Sequence, residues 1–171
     1  VELTSSRWHW PIGAATFSCA RSPPCAPPSS ERDGYIRSKS THGSSCPEHL
    51  HAVWTLPDGD ADYSRRWTLI KRWFSATIPP TESRSASRAA KGERGIWQRR
   101  FWEHTIRDPD DFARHLDYVH FNPVKHKLVA RASDWPHSSF MRAVGQGYYP
   151  PDWAQADDDV DGFGEVENEP D

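Results

Sequence analysis

The chain has 171 residues, a formal net charge of −3, 36% apolar residues, 15 prolines and 9 tryptophans. That is room for one ordinary domain with tails, and no apolar run reaches the ~18 residues of a membrane span. The first residues lack the basic-then-apolar pattern of a secretory signal, and Cys19, Cys25 and Cys46 lack CxxC spacing, which argues against a disulfide framework or a zinc ribbon.

A cytoplasmic protein is therefore the expectation. The charge is unevenly spread. From Ala154 to Asp171 there are acidic residues and no basic one, which predicts a solvated, disordered tail over 154–171. From Pro47 to Trp153 basic residues outnumber acidic ones, and a mildly basic domain permits nucleic-acid binding without demanding it.

Residues 1–46 show neither a helical nor a strand period. Ser22–Ser30 is a Pro/Ser run, and Ser38–Cys46 is a string of small polar residues. The expectation is a leader over 1–46 that is disordered or frameshifted. Thr41–Cys46 can be encoded so that the neighbouring frame spells DAWVVL. Tyr35–Ser40 can give HPFEV in that same frame. One extra C beside the Pro47 codon would then join a buried apolar strand to the segment that follows.

Pro47–Pro57 is the first stretch with clear strand character, carrying Leu50, Val53 and Leu56. His49 and His51 are two apart, so on a strand both imidazoles project to one face. They are either two ordinary histidines near a strand start or a pair able to hold one divalent cation.

Pro57-Asp58-Gly59-Asp60 is a turn, and Asp62 can cap a helix running to about Ile78, with Trp67, Ile70, Phe74 and Ile78 near helical spacing. Its basic residues read as a solvated rim, from which Lys71 could reach phosphates. Pro79 and Pro80 stop the helix, and Thr81–Arg94 reads as a mobile connector. Gly95–Ile106 has the aromatic content of a strand, packed in the core or presenting Arg99 and Arg100 between rings to single-stranded nucleic acid.

Asp108-Pro109-Asp110-Asp111 is a helix start: a cap, a first-turn proline and two acids at the positive end of the dipole. Phe112, Leu116 and Val119 form the buried stripe, and Pro123 predicts an end close to Asn122. At about 100° per residue, Tyr118 and Asn122 fall about 40° apart, beside that stripe. The helix thus presents a phenol and, one turn later, a carboxamide.

Tyr118-Val119-His120-Phe121-Asn122-Pro123-Val124-Lys125-His126 resembles the tyrosine helix of the REP-associated tyrosine transposases. They belong to the single-tyrosine transposases marked by His, a bulky apolar residue and His, which His49-Leu50-His51 matches. Trp97–His104, Asp134–Ser139 and Tyr149–Trp153 are similar to the same family, in the same order, so the resemblance covers 47–153.

The resemblance implies an α+β fold: an antiparallel ferredoxin-like sheet with helices on one face. It would be incomplete at its N-terminus, leaving the histidine strand without its neighbour. It implies binding of single-stranded DNA with hairpin repeats, cleaved and rejoined through a 5′-phosphotyrosine on Tyr118. Mg²⁺ or Mn²⁺ would be held by His49, His51 and Asn122. Arg99, Arg100, Lys125, Lys127 and Arg131 are the candidate phosphate contacts, and His120 is a candidate base for the phenol. The protein would be a monomer or homodimer, or else a catalytically dead DNA-binding remnant of such an enzyme.

Overall fold

The computed structural model describes residues 2–7, 39–80, 82–98 and 100–154, with side chains from His42 onward. Four antiparallel strands, β1 (Glu2–Arg7), β2 (Lys39–Ser45), β3 (His49–Thr55) and β4 (Trp102–Thr105), form one sheet in the order β2-β3-β1-β4. The helices are α1 (Tyr63–Thr77), α2 (Ala86–Ala90), α3 (Pro109–Lys125) and α4 (Phe140–Gly145), with a 3₁₀ turn at Ala132–Asp134. The fold is mixed helix and antiparallel sheet.

Along β3, Leu50, Ala52 and Trp54 turn to one face and His49, His51 and Val53 to the other. Ala52 and Trp54 pack on Trp67 of α1, ringed by Leu50, Leu56, Tyr63, Ile70 and Phe101. Val53 packs on Val119 of α3, with Ile106, Phe112 and Tyr118 around it. Helices therefore cover both faces, not the single face expected. The reason is in β3 itself, which has too few polar residues to leave either face to water.

The expectation that nothing before Pro47 joins the fold does not hold for Glu2–Arg7 and Lys39–Ser45. β1 pairs with β3 and β4, and β2 lies on the far side of β3, with Ser45 opposite Leu50, Ser44 opposite His51 and His42 opposite Val53. Backbone pairing, not side-chain propensity, makes β2 a strand. Its outer edge is closed by the chain near Ser139. The Ser45 N–H donates to His137 O (2.9 Å) and the Ser139 N–H to Gly43 O (2.8 Å). The Gly43 N–H in turn donates to Ser139 Oγ (2.8 Å), and Trp135 Nε1 donates to Ser45 O (3.1 Å). Gly43 lies close against β3, where a Cβ would sit 3.0 Å from His51 O and the neighbouring backbone would have to give by a few tenths of an ångström.

α1 starts as predicted, with Asp62 accepting from the Arg65 N–H and Ile78 as the C-cap. The connector after it is more ordered than expected. It holds α2, capped by Ser85, and Arg94 pairs with Glu82 (2.5 Å) while donating to Ile78 O (2.8 Å) and Pro79 O (3.0 Å). These bonds satisfy carbonyls at the end of α1 that have no helical partner. Lys71 does not stand on an open basic rim. Its Nζ lies 5.5–5.9 Å from the ring centres of Trp67, Trp97 and Phe101 and donates to Gln98 O (3.1 Å).

α3 starts at Pro109 with Asp108 as its cap, as the sequence predicts, but it runs to Lys125 with Pro123 inside it. Pro123 sits in the last turn, where its missing N–H removes one bond. The His126 N–H still reaches Asn122 O (3.0 Å) and the Leu128 N–H reaches Pro123 O (2.9 Å). Leu116, Phe121 and Val124 of this helix pack with Ala132, Phe140, Ala143 and Tyr149 in the largest apolar cluster. Among the described residues no helix is long and apolar enough to cross a membrane.

Candidate active site on the histidine strand and tyrosine helix

The two-residue period of β3 turns His49 and His51 to the α3 side, where both are buried (6% and 2% exposed). Their ring centres are 4.9 Å apart. α3 crosses this face and supplies the other groups. The Tyr118 ring lies 5.0 Å from the His51 ring, and Asn122 Oδ1 lies 2.5 Å from His49 Nε2. The four residues singled out as Tyr118, His49, His51 and Asn122 are thus brought together, from two elements about seventy residues apart in the chain.

Two neighbours were not singled out by sequence. Cys46 is buried, and its thiol donates to Asn122 Oδ1 (3.3 Å). Burial pushes that thiol up to about 12, so it stays protonated and acts as a donor. His126 is exposed and its ring lies 4.7 Å from the His49 ring. A usable signal existed for His126, since it lies four residues after Asn122 on the same helical face.

The donor set is two imidazoles and a carboxamide oxygen, gathered where His49 Nε2 meets Asn122 Oδ1 and the His51 ring lies beside the His49 ring. It suits a divalent cation of borderline or hard character. The fit rests on that proximity and on the exclusion of water from both histidines.

The basic candidates divide. Lys125 is exposed, with Nζ 5.4 Å from the centre of the Tyr118 ring. Lys127 is exposed and holds a positive φ of 56° just past α3. Arg131 turns to Asp134 (3.1 Å) on the surface, and Arg100 is exposed just before β4. Arg99 and the acidic residues 155–171 lie outside the described residues. His120 does not face the phenol. It is fully buried against His42, Phe140 and Tyr149, and its Nε2 bonds Ser139 Oγ (2.9 Å). Burial, then the charges of His42 and Arg142, lower its pKa to about 3.

No family model matches the chain. It is 49% identical over 108 residues to the REP-associated tyrosine transposase of Escherichia coli strain K12, covering 63% of this chain and 58% of that protein. A Haemophilus influenzae relative named for the same family is 48% identical over 109 residues, covering 63% of this chain and 61% of the relative. The chain thus spans about three fifths of the curated relatives it matches. A solved structure of a REP-associated tyrosine transposase bound to a REP hairpin superposes with a TM-score of 0.67 at 34% identity, over 92% of this chain and 87% of that one.

Proposed function

Because this chain belongs to the REP-associated tyrosine transposases, we propose that it cleaves and rejoins single-stranded DNA at a repeat hairpin, with Tyr118 as nucleophile. The supporting observation is the convergence of Tyr118, His49, His51 and Asn122 on one face of the sheet. The Tyr118 oxygen attacks the phosphorus, forming a phosphotyrosine on the 5′ side and releasing the 3′-hydroxyl. The phosphoester bond is exchanged, not hydrolysed, so the reverse attack by another 3′-hydroxyl rejoins strands without a nucleotide cofactor. Lys125, with Nζ 5.4 Å from the centre of the Tyr118 ring, supplies a positive charge beside the scissile phosphate. His49, His51 and Asn122 would hold Mg²⁺ or Mn²⁺, which when bound polarises the scissile phosphate and offsets its charge.

Exposed Arg100, Lys125 and Lys127 would meet DNA phosphates, with Arg99 and Arg131 as further candidates. The strand order β2-β3-β1-β4 supports a ferredoxin-like sheet, and the reading is of a cytoplasmic monomer or homodimer. Incubation with a labelled single-stranded repeat hairpin and Mn²⁺ tests the enzyme reading. A covalent protein–DNA adduct that disappears in Tyr118→Phe is expected. Hairpin binding with no adduct would make the protein a DNA-binding remnant.

One observation favours that second reading. The side chains buried along β2 and just past it are His42, Ser44 and Cys46 (3%, 1% and 3% exposed), and His42 Nδ1 has no hydrogen-bond partner among the described residues. A buried unsatisfied polar atom costs about 1–3 kcal/mol. In the neighbouring frame of Thr41–Cys46 those three positions become Ala, Val and Leu, which suit the site. The leader over 1–46 is accordingly read as a frameshifted version of a better-packed strand. Sequencing the locus tests it: absence of any frame encoding an apolar strand before Pro47 ends the idea.

A further inference from the structure

A second cluster of metal-ligating side chains lies where β4 meets the start of α3. Asp111 and His115 are one helical turn apart on α3, and His104 comes from β4. Among the described residues this is the one group of three or more His, Cys, Asp or Glu whose donor atoms all lie within 4.8 Å of one another. His104 Nε2 is 2.8 Å from Asp111 Oδ2, and His115 Nδ1 is 3.0 Å from Asp111 Oδ1. The two imidazole rings lie 4.4 Å apart, inclined by 16°.

We propose that His104, Asp111 and His115 form a binding site for a divalent transition metal of the Zn²⁺ class, separate from the His49–His51 centre. Two nitrogens and a carboxylate oxygen are a set Zn²⁺ takes readily, leaving a fourth position for water. Donors at about 2.0–2.2 Å from a tetrahedral ion stand about 3.4 Å apart. The two His–Asp separations, 2.8 and 3.0 Å, are shorter than that, and His115 Nδ1 also lies 2.8 Å from Asp111 O, so a small opening and the release of that main-chain contact admit the ion. Asp111 is buried (5% exposed), while the side chains of His104 and His115 are 25% and 19% exposed, which gives an ion a path in from solvent.

The surroundings support the carboxylate. The Arg107 N–H donates to Asp111 Oδ2 (3.0 Å), and the Asp111 N–H donates to Asp108 Oδ1 (2.8 Å), so the helix start orients the ligand. Trp102 lies alongside both imidazoles, 5.9 and 6.1 Å away and nearly parallel. Arg114 Nη2 approaches Asp111 Oδ1 at 3.4 Å, but its side chain is 64% exposed and can turn into water when the ion enters. Such an ion clips the edge strand to the helix that carries Tyr118, three residues after His115. Its role is to hold that helix on the sheet, not to touch substrate.

The test uses the tag-free full chain, stripped with chelator and titrated with Zn²⁺ alone. In a His49→Ala/His51→Ala variant, one equivalent of Zn²⁺ still binds and raises the Tm by about 5 °C at a hundredfold excess over Kd. Adding His104→Ala or His115→Ala abolishes both effects while far-UV circular dichroism stays unchanged. Loss of all Zn²⁺ binding in the His49→Ala/His51→Ala variant overturns the proposal, as does binding that survives the added substitutions. If the variants do not fold, imidazole ¹⁵N spectra of the unsubstituted chain decide. Zn²⁺-dependent shifts at His104 and His115 support the site, and shifts confined to His49 and His51 overturn it.

Discussion

His49 Nε2 and Asn122 Oδ1 meet at 2.5 Å, tying the middle of the sheet to the tyrosine helix, and the Cys46 thiol donates to the same oxygen. Asn122→Ala removes the acceptor from two buried donors at once. The expected cost is about 1–3 kcal/mol of stability. Mn²⁺ affinity should fall about 10–100-fold, the range seen when a group that orients or completes a metal site is removed. Thermal unfolding and calorimetric Mn²⁺ titration measure the two effects. Unchanged Mn²⁺ affinity in a folded Asn122→Ala protein would take the carboxamide out of the metal site.

Lys71 and Lys125 are both cations near aromatic rings, and they should respond oppositely. Lys71 is wrapped by Trp67, Trp97 and Phe101. Lys71→Ala should lose about 1–2 kcal/mol of stability and leave hairpin affinity unchanged. Lys125 is exposed beside Tyr118. Lys125→Ala should keep its stability, weaken hairpin binding, and lower the slope of log K against log salt by about 1. Filter binding over a salt series separates them.

His120 predicts acid sensitivity. Its folded pKa, about 3, lies below the usual histidine value of about 6.5, because burial with His42 and Arg142 nearby disfavours the imidazolium. The unfolded chain therefore binds a proton that the folded chain refuses. Stability is fully present above about pH 6.5 and declines as the pH falls toward 3. The urea midpoint should drop across that window in the native sequence. His120→Gln should flatten part of the drop, and an equal slope in both proteins would rule out His120 as a source.

Tyr149 donates its hydroxyl to Asp117 Oδ1 (2.7 Å), joining the C-terminal segment to α3. Burial raises the pKa of both groups, so the bond stands between a neutral phenol and a half-buried carboxylate. Tyr149→Phe leaves that carboxylate without its donor. The expected loss is about 1–2 kcal/mol, or about 2–8 °C in Tm for a chain of this size. Calorimetry checks it.

The parts of the fold that could be read ahead were those with a period or a cap. β3 announced itself by apolar residues around His49 and His51. α1 and α3 announced themselves by Asp62, Asp108 and Pro109 before helical stripes. β2 gave no such signal, because Lys39–Ser45 has no apolar alternation, and only its partners make it a strand. Pro123 misled in the other direction: a helix-ending residue sits inside the last turn, where losing one N–H is tolerated. In the site, spacing put His49 with His51 and Tyr118 with Asn122, and the family resemblance joined the two pairs. Cys46 was not legible, because its place depends on how β2 turns into β3. Nor was the meeting of His104 with Asp111 and His115, because strand–helix packing sets it.

The clasp of Ser139 on Gly43 joins residues 96 positions apart. Its consequence concerns timing during synthesis. β2 and β3 leave the ribosome long before Ser139 does, so a nascent chain carries the pair with its outer edge still able to recruit another strand. A Gly43-side edge of this kind is a template for mispairing between neighbouring nascent chains. Translation speed over 100–139 thus bears on the yield of soluble protein in a way that the stability of the finished fold does not reveal.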